Sequence, residues 1–169
     1  MDFLKIIDET GIGFKNIADI LINQYAIQTH DSLFRMIDLE FYWDSKTHED
    51  KSTYKRNYVN PKSGDWFFHY SGVDIALKDE VSGGHGGILI RGIYDTNEKA
   101  EKRIYKGPMV CAMRLFSGTS AFGDSIKTRI ITHKFDEKKE LRYGPRKNLG
   151  QNAITNGTDQ LNYRFFITP

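Results

Sequence analysis

The chain has 169 residues, with 24 Lys and Arg against 22 Asp and Glu, a net charge of +2. That length fits one domain able to bury its own core, and 39% hydrophobic with 27% charged residues excludes a disordered chain. The single cysteine, Cys111, excludes an intrachain disulfide framework and a cysteine zinc site, while so small a net charge neither supports nor excludes a nucleic-acid partner.

Asp2, Lys5, Asp8 and Glu9 interrupt any apolar run near Met1, so nothing there reads as a signal peptide. No stretch is long enough to span a bilayer, and a cytoplasmic location is expected. The 11 Phe, 9 Tyr and 2 Trp favour strands and supply flat surfaces for planar ligands.

Phe14, Ile17, Ile20 and Leu21 recur at helical spacing and predict an amphipathic helix over about residues 14–24. A short strand over 25–29 and a turn at His30-Asp31-Ser32 follow. Leu33 to Trp43 is the longest strand, apolar on both faces and therefore central. Its character changes at Asp38 and Glu40. Residues 44–64 read as a long polar, basic loop, and 65–70 as an aromatic strand that residues 73–77 continue after Gly72. The glycines at 83–87 precede a strand over 88–94 and lack a Gly-Lys-Ser/Thr ending, so they read as a tight turn and not a phosphate loop. A charged helical or irregular stretch is expected over 97–106. Strands are expected over 109–116 and 126–135, paired with each other across the segment 117–125. Gly144-Pro145 reads as the opening of a short helix, and 163–167 as a last strand. The fold class expected is α+β, mainly β: one domain with a curved, mostly antiparallel sheet and two or three short peripheral helices.

Two charged residues break apolar strands. Arg91 interrupts Ile88, Leu89, Ile90 and Ile93, and a buried guanidinium needs an acidic partner. Glu40 is the economical choice. Such a pair is either a structural ion pair or a carboxylate poised to activate water among aromatic walls. The run Trp66-Phe67-Phe68-His69-Tyr70 is likewise either core packing or, in part, a base-stacking wall. The five histidines have no metal-ligand spacing, and no metal or cofactor is expected. Lys46, Lys51, Lys55, Arg56 and Lys62 make the long loop either a solvated basic segment or a phosphate-contacting face.

Taken in order, these segments resemble the alkyladenine (3-methyladenine) DNA glycosylase family over residues 17–94 and 144–167, as a divergent and shortened member. The strand Arg35 to Tyr42 resembles the family strand that ends in Glu-x-Tyr, and His48 the histidine that follows it. Thr53-Tyr54-Lys55-Arg56-Asn57 resembles its Thr-x-Arg-Asn with one inserted residue, and Gly64 to Gly72 its glycine and aromatic strand. Gly84 to Arg91 resembles its Leu-Leu-Arg strand, Gly144-Pro145-Arg146-Lys147 its Gly-Pro-x-Lys, and Arg164-Phe165-Phe166 its late Arg-Phe-Tyr. The chain departs from the family in a shorter spacing from Tyr42 to His48. Phe67 stands where the family has a stacking tyrosine, and Lys78 where it has an asparagine.

The resemblance implies a monofunctional DNA glycosylase that flips an alkylated or deaminated purine out of double-stranded DNA and hydrolyses its N-glycosidic bond. It implies Glu40 and Arg91 as the catalytic pair, and Tyr42, His48, Phe67 and Lys78 around the base. Tyr70 would wedge into the gap, and Thr53, Lys55, Arg56, Asn57 and Lys147 would contact DNA. Neither a cofactor nor a metal is implied, and a monomer is expected. Two other classes stay open on the residues themselves: a module of the same fold that binds altered bases or nucleic acid without cutting, and a small-molecule-binding β-domain.

Overall fold

The computed structural model describes residues 2–53, 61–119, 122, 127–155 and 157–169. The first helix, α1 (Gly11–Gln24), starts earlier than its apolar spacing suggests, because the Thr10 hydroxyl accepts the Ile12 N–H and caps it. Its buried stripe of Phe14, Ile17, Ala18, Leu21 and Ile22 packs on the sheet, with the Phe14 ring stacked 5.2 Å from Phe41.

The described strands are β1 (Tyr25–Gln28), β2 (Leu33–Asp44), β3 (Trp66–His69), β4 (Gly72–Lys78), β5 (His85–Asp95), β6 (Ile104–Lys106), β7 (Arg129–Thr132), β8 (Arg142–Gly144) and β9 (Arg164–Phe166). All pair antiparallel in one curled sheet of order β3-β4-β5-β2-β1-β7, with β6 on β5, and β9 carrying β8 on β2. The fold is the expected one, a mainly β half-barrel in one compact domain, with three α-helices among the described residues.

Two rows of side chains cross this sheet on opposite faces. Trp66, Ile75, Ile88 and Phe41 are successive cross-strand neighbours and turn to the apolar core. One residue along, Phe67, Asp74, Leu89 and Glu40 are also successive neighbours. Alternation along a strand therefore puts these four on the other face, where charge is concentrated.

Both central strands change partner at one level. On β2, β1 pairs with residues 33–35 and β9 with residues 38–40. On β5, β4 pairs up to Leu89 and β6 begins at Gly92. The β2–β5 ladder is irregular there, leaving Ile37 and Arg91 out of register. Arg91 thus leaves its strand where the sheet divides, and a bulge of this kind re-aims a side chain.

Several elements differ from the sequence reading. Residues 104–106, expected within a helical or irregular stretch, form β6 because they add to β5, and β8 was not expected. Residues 73–77 do not continue the aromatic strand; β4 folds back on β3 through Tyr70-Ser71. Gly86 and Gly87 lie inside β5, not in a turn, because β2 comes so close that a Cβ on Gly86 would stand 1.9 Å from the Tyr42 carbonyl oxygen. Residues expected as a strand over 109–116 form α2 (Pro108–Phe116), and β7 pairs with β1 instead. Gly107, at φ +105, ends β6, Pro108 suits a helix start, and Cys111, Ala112 and Leu115 are buried at helical spacing. Met109, Val110 and Met113 remain exposed, so the segment is apolar all round and its period is masked. Gly144-Pro145 opens no helix: Gly144 ends β8, and α3 (Gln151–Thr155) begins later.

Candidate active site

Glu40 is fully buried, and three donors hold its carboxylate. The Tyr42 hydroxyl donates to Oε2 at 2.9 Å, Arg91 Nη1 reaches the same oxygen at 3.3 Å, and the Lys147 backbone N–H donates to Oε1 at 2.8 Å. Burial pushes the Glu40 carboxyl above the ordinary carboxylate range, and nearby Asp38 adds to the push. Arg91, the Lys147 N–H and the Tyr42 hydroxyl pull back without cancelling it. Burial and the charge of Glu40 hold the Tyr42 phenol protonated, so it acts as a donor.

A cleft of about 760 Å³ opens over this group, of a size that fits a small organic ligand. Tyr42, Leu89 and Arg91 form its floor, and His69, Tyr70 and Ser71 one wall. The start of α2 and residues 147–151 close the other sides, and Lys51 and Lys147 bring positive charge. Arg91 keeps 11% of its side chain exposed and so reaches from the buried carboxylate into the cleft.

Beneath Tyr42 lies a cation that the sequence reading missed. Arg146 bonds both oxygens of Asp50, the carbonyls of Phe41 and Thr158, and lies 4.7 Å from the Tyr42 ring. Neither Arg146 nor Asp50 has any exposed side chain. Burial would raise the Asp50 carboxyl, but the hydrogen bonds and charge of Arg146 outweigh it and hold it below the ordinary range. The clasp joins the segment after β2 to the segment after β8 and so places the Lys147 amide on Glu40. Asp38, the other acid of β2, pairs with Arg164 at 2.7 and 2.8 Å.

The expected Glu40–Arg91 contact is present, and Tyr42 joins it. Tyr70 stands 76% exposed at the tip of the β3–β4 hairpin, on the rim of the cleft. Lys147 is an exposed side chain on that rim, but its backbone amide makes the contact with Glu40. His48, Phe67, Lys78 and Thr53 do not line the cleft. The His48 ring packs against Phe14 and Tyr163. Phe67 is buried behind His69, its ring 6.0 Å away. Lys78 ends β4, paired with His85. Thr53 is buried in a turn, its backbone N–H on the Asp50 carbonyl. Lys55, Arg56 and Asn57 lie outside the described residues.

Among the described residues, no group of three or more His, Cys, Asp or Glu side chains could hold a metal ion. Burial pushes the Cys111 thiol up to about 12, so it is no nucleophile. No described helix is long and apolar enough to cross a membrane.

No protein-family model matches the chain, and no curated protein matches it.

Proposed function

We propose that this protein is a monofunctional DNA glycosylase of the alkyladenine type, acting on alkylated or deaminated purines flipped out of double-stranded DNA. The observation that carries the reading is Glu40. It is a buried carboxylate gripped by three donors under a cleft wide enough for a nucleoside, with a basic residue from the adjoining strand reaching into the same space. Two oxygens offer about four acceptor positions. The three contacts leave room for one more, and a water there would have its proton drawn off as its oxygen attacks the sugar anomeric carbon. Arg91 would steady the carboxylate and the developing charge. A cationic alkylated purine is drawn to aromatic faces such as that of Tyr42.

Binding of a duplex is supported by Tyr70 at the hairpin tip, where an aromatic side chain could fill the gap of a flipped nucleotide, and by Lys51 and Lys147 on the rim. The test uses duplex oligonucleotides carrying 3-methyladenine, ethenoadenine or hypoxanthine. Wild-type protein should release at least one of these bases, and Glu40→Gln should release none; equal release by both would refute the reading.

One observation favours a second reading, a module that binds altered bases without cutting them. Glu40 is covered by its own partners and presents no accessible surface. Lesion-selective binding with no base release would select this reading over the first.

A further inference from the structure

One wall of the cleft is apolar, and water activation at Glu40 does not use it. The start of α2 forms this wall, through Pro108, Met109 and Val110. Cys111, Ala112 and Leu115 anchor the helix in the core, whereas Met109 and Val110 stay 44% and 42% exposed. None of the three wall side chains offers a charge or a hydrogen-bond donor. The other sides differ: Lys51, Ser71, Lys147, Asn148 and Gln151 all bring polar groups to the cleft. Apolar side chains gathered at a cleft mark a binding surface, and methionine suits one because its unbranched thioether adapts to varied shapes.

The wall is fixed in place across the cleft from Glu40. The Gly107 N–H donates to the Arg91 carbonyl at 2.8 Å. Gly72, the first residue of β4, lies so close that a Cβ on it would stand 2.8 Å from Pro108. His69, held to Asp74 at 2.9 Å, bounds the hairpin side. β2, which carries Glu40, runs along one edge of β5; β4 and β6 follow one another along the other edge, and α2 leaves from β6. Two strand spacings of about 4.8 Å put about 10 Å between the β2 and β4 backbones. A purine whose anomeric carbon sits at Glu40 and whose ring lies over Leu89 therefore turns the edge farthest from its sugar toward α2. The cleft of about 760 Å³ is in the range of about 300–1,000 Å³ that holds a drug-sized molecule, so a purine of about ten heavy atoms leaves room in it.

Building on the glycosylase reading, we propose that Pro108, Met109 and Val110 form an apolar subsite for a bulky alkyl or aryl group on the purine edge farthest from the sugar. An ordinary purine presents donors and acceptors on that edge. Against an apolar wall they lose water and gain no partner, which is unfavourable. A substituted edge has fewer hydrogen bonds to lose there, and it buries apolar surface on Met109 and Val110. Discrimination between bulky adducts and undamaged purines thus falls to α2, while Glu40 and Arg91 act on whatever base is seated.

The test is single-turnover release, from a duplex, of ethenoadenine, whose extra ring bridges that edge, and of the same base with a phenyl group on the extra ring. Wild-type protein should release both. Met109→Gln combined with Val110→Thr keeps the size of the wall but makes it polar, and should lower the ratio of phenyl to plain release on the order of 10-fold. Both side chains are exposed, so the unfolding midpoint should stay at the wild-type value. Should the double variant not fold, Val110→Thr alone should lower the ratio in the same direction. An unchanged ratio, or equal losses for both bases, would overturn the proposal. Wild-type release of the plain base but not the phenyl one would overturn the subsite while keeping the glycosylase reading. Release of hypoxanthine or 7-methylguanine but of neither etheno base would do the same; release of no base would refute both.

Discussion

Asp50–Arg146 and Glu40–Arg91 are both buried ion pairs, and they are built for different ends. Arg146 takes Asp50 with two nitrogens, adds two backbone carbonyls, and leaves neither side chain any exposure. Asp50 is held below the ordinary carboxylate range and stays charged. Arg91 touches Glu40 through one nitrogen at 3.3 Å and extends into the cleft. Glu40 is held above that range, so its charge is only partly compensated and it is the better base. A fully buried bidentate pair fixes chain segments, whereas an under-compensated one at a cleft can do chemistry.

Breaking the bidentate pair should have the largest effect on stability. Asp50→Ala leaves the Arg146 charge buried without its partner and should cost about 3–5 kcal/mol in chemical denaturation. Base release should fall with it, since Tyr42 and the Lys147 amide lose their support. A loss below about 1 kcal/mol would dissolve the contrast between the two pairs, because that is the worth of an exposed pair.

Smaller changes sharpen the contrast. Tyr42→Phe removes a neutral donor to a charged acceptor and should cost about 1.5–3 kcal/mol in chemical denaturation, less than the loss of Asp50. Tyr70→Ala should leave the unfolding midpoint unchanged, because the ring is 76% exposed, and weaken lesion-duplex affinity by about 1–2 kcal/mol in a fluorescence titration. Unchanged affinity would remove the hairpin tip from the interface.

The smallest effect is on the pH dependence of stability, and the two carboxylates should give opposite signs. Glu40 has a folded value above its ordinary 4.5, so its contribution is full below 4.5 and is lost as pH rises through the folded value. Asp50 has a folded value below its ordinary 3.8, so its contribution is present above 3.8 and is lost as pH falls through the folded value. Denaturation of Glu40→Gln across that range should lack the first slope and keep the second, with neutral-pH stability at or above wild type.

The charges that interrupt apolar strands were the legible part of the site. Glu40 and Arg91 stand out because alternation puts each beside residues that demand burial, and a buried guanidinium demands an acid. The Lys147 contact carries no such signal, since any residue but proline supplies the same backbone amide. Arg146 and Asp50 look like ordinary loop charges until β8, β9 and the segment after β2 meet. His69 and Asp74 could be paired only by seeing that the aromatic strand turns back at Tyr70-Ser71; read as one continuous strand, they point apart. Most strands were legible from alternation and turn residues, whereas α2 was hidden because its exposed positions, Met109, Val110 and Met113, are as apolar as its buried ones.

The most direct test of the role of Glu40 is the single-turnover rate of 7-methylguanine release from a duplex by wild type and by Glu40→Gln, with unfolding midpoints measured alongside. The wild type should release the base, the variant should do so at a rate at least about 100-fold lower, and the variant midpoint should be no lower than that of the wild type. A variant that releases the base as fast as the wild type, or one that loses release only because it has lost its fold, would contradict that role.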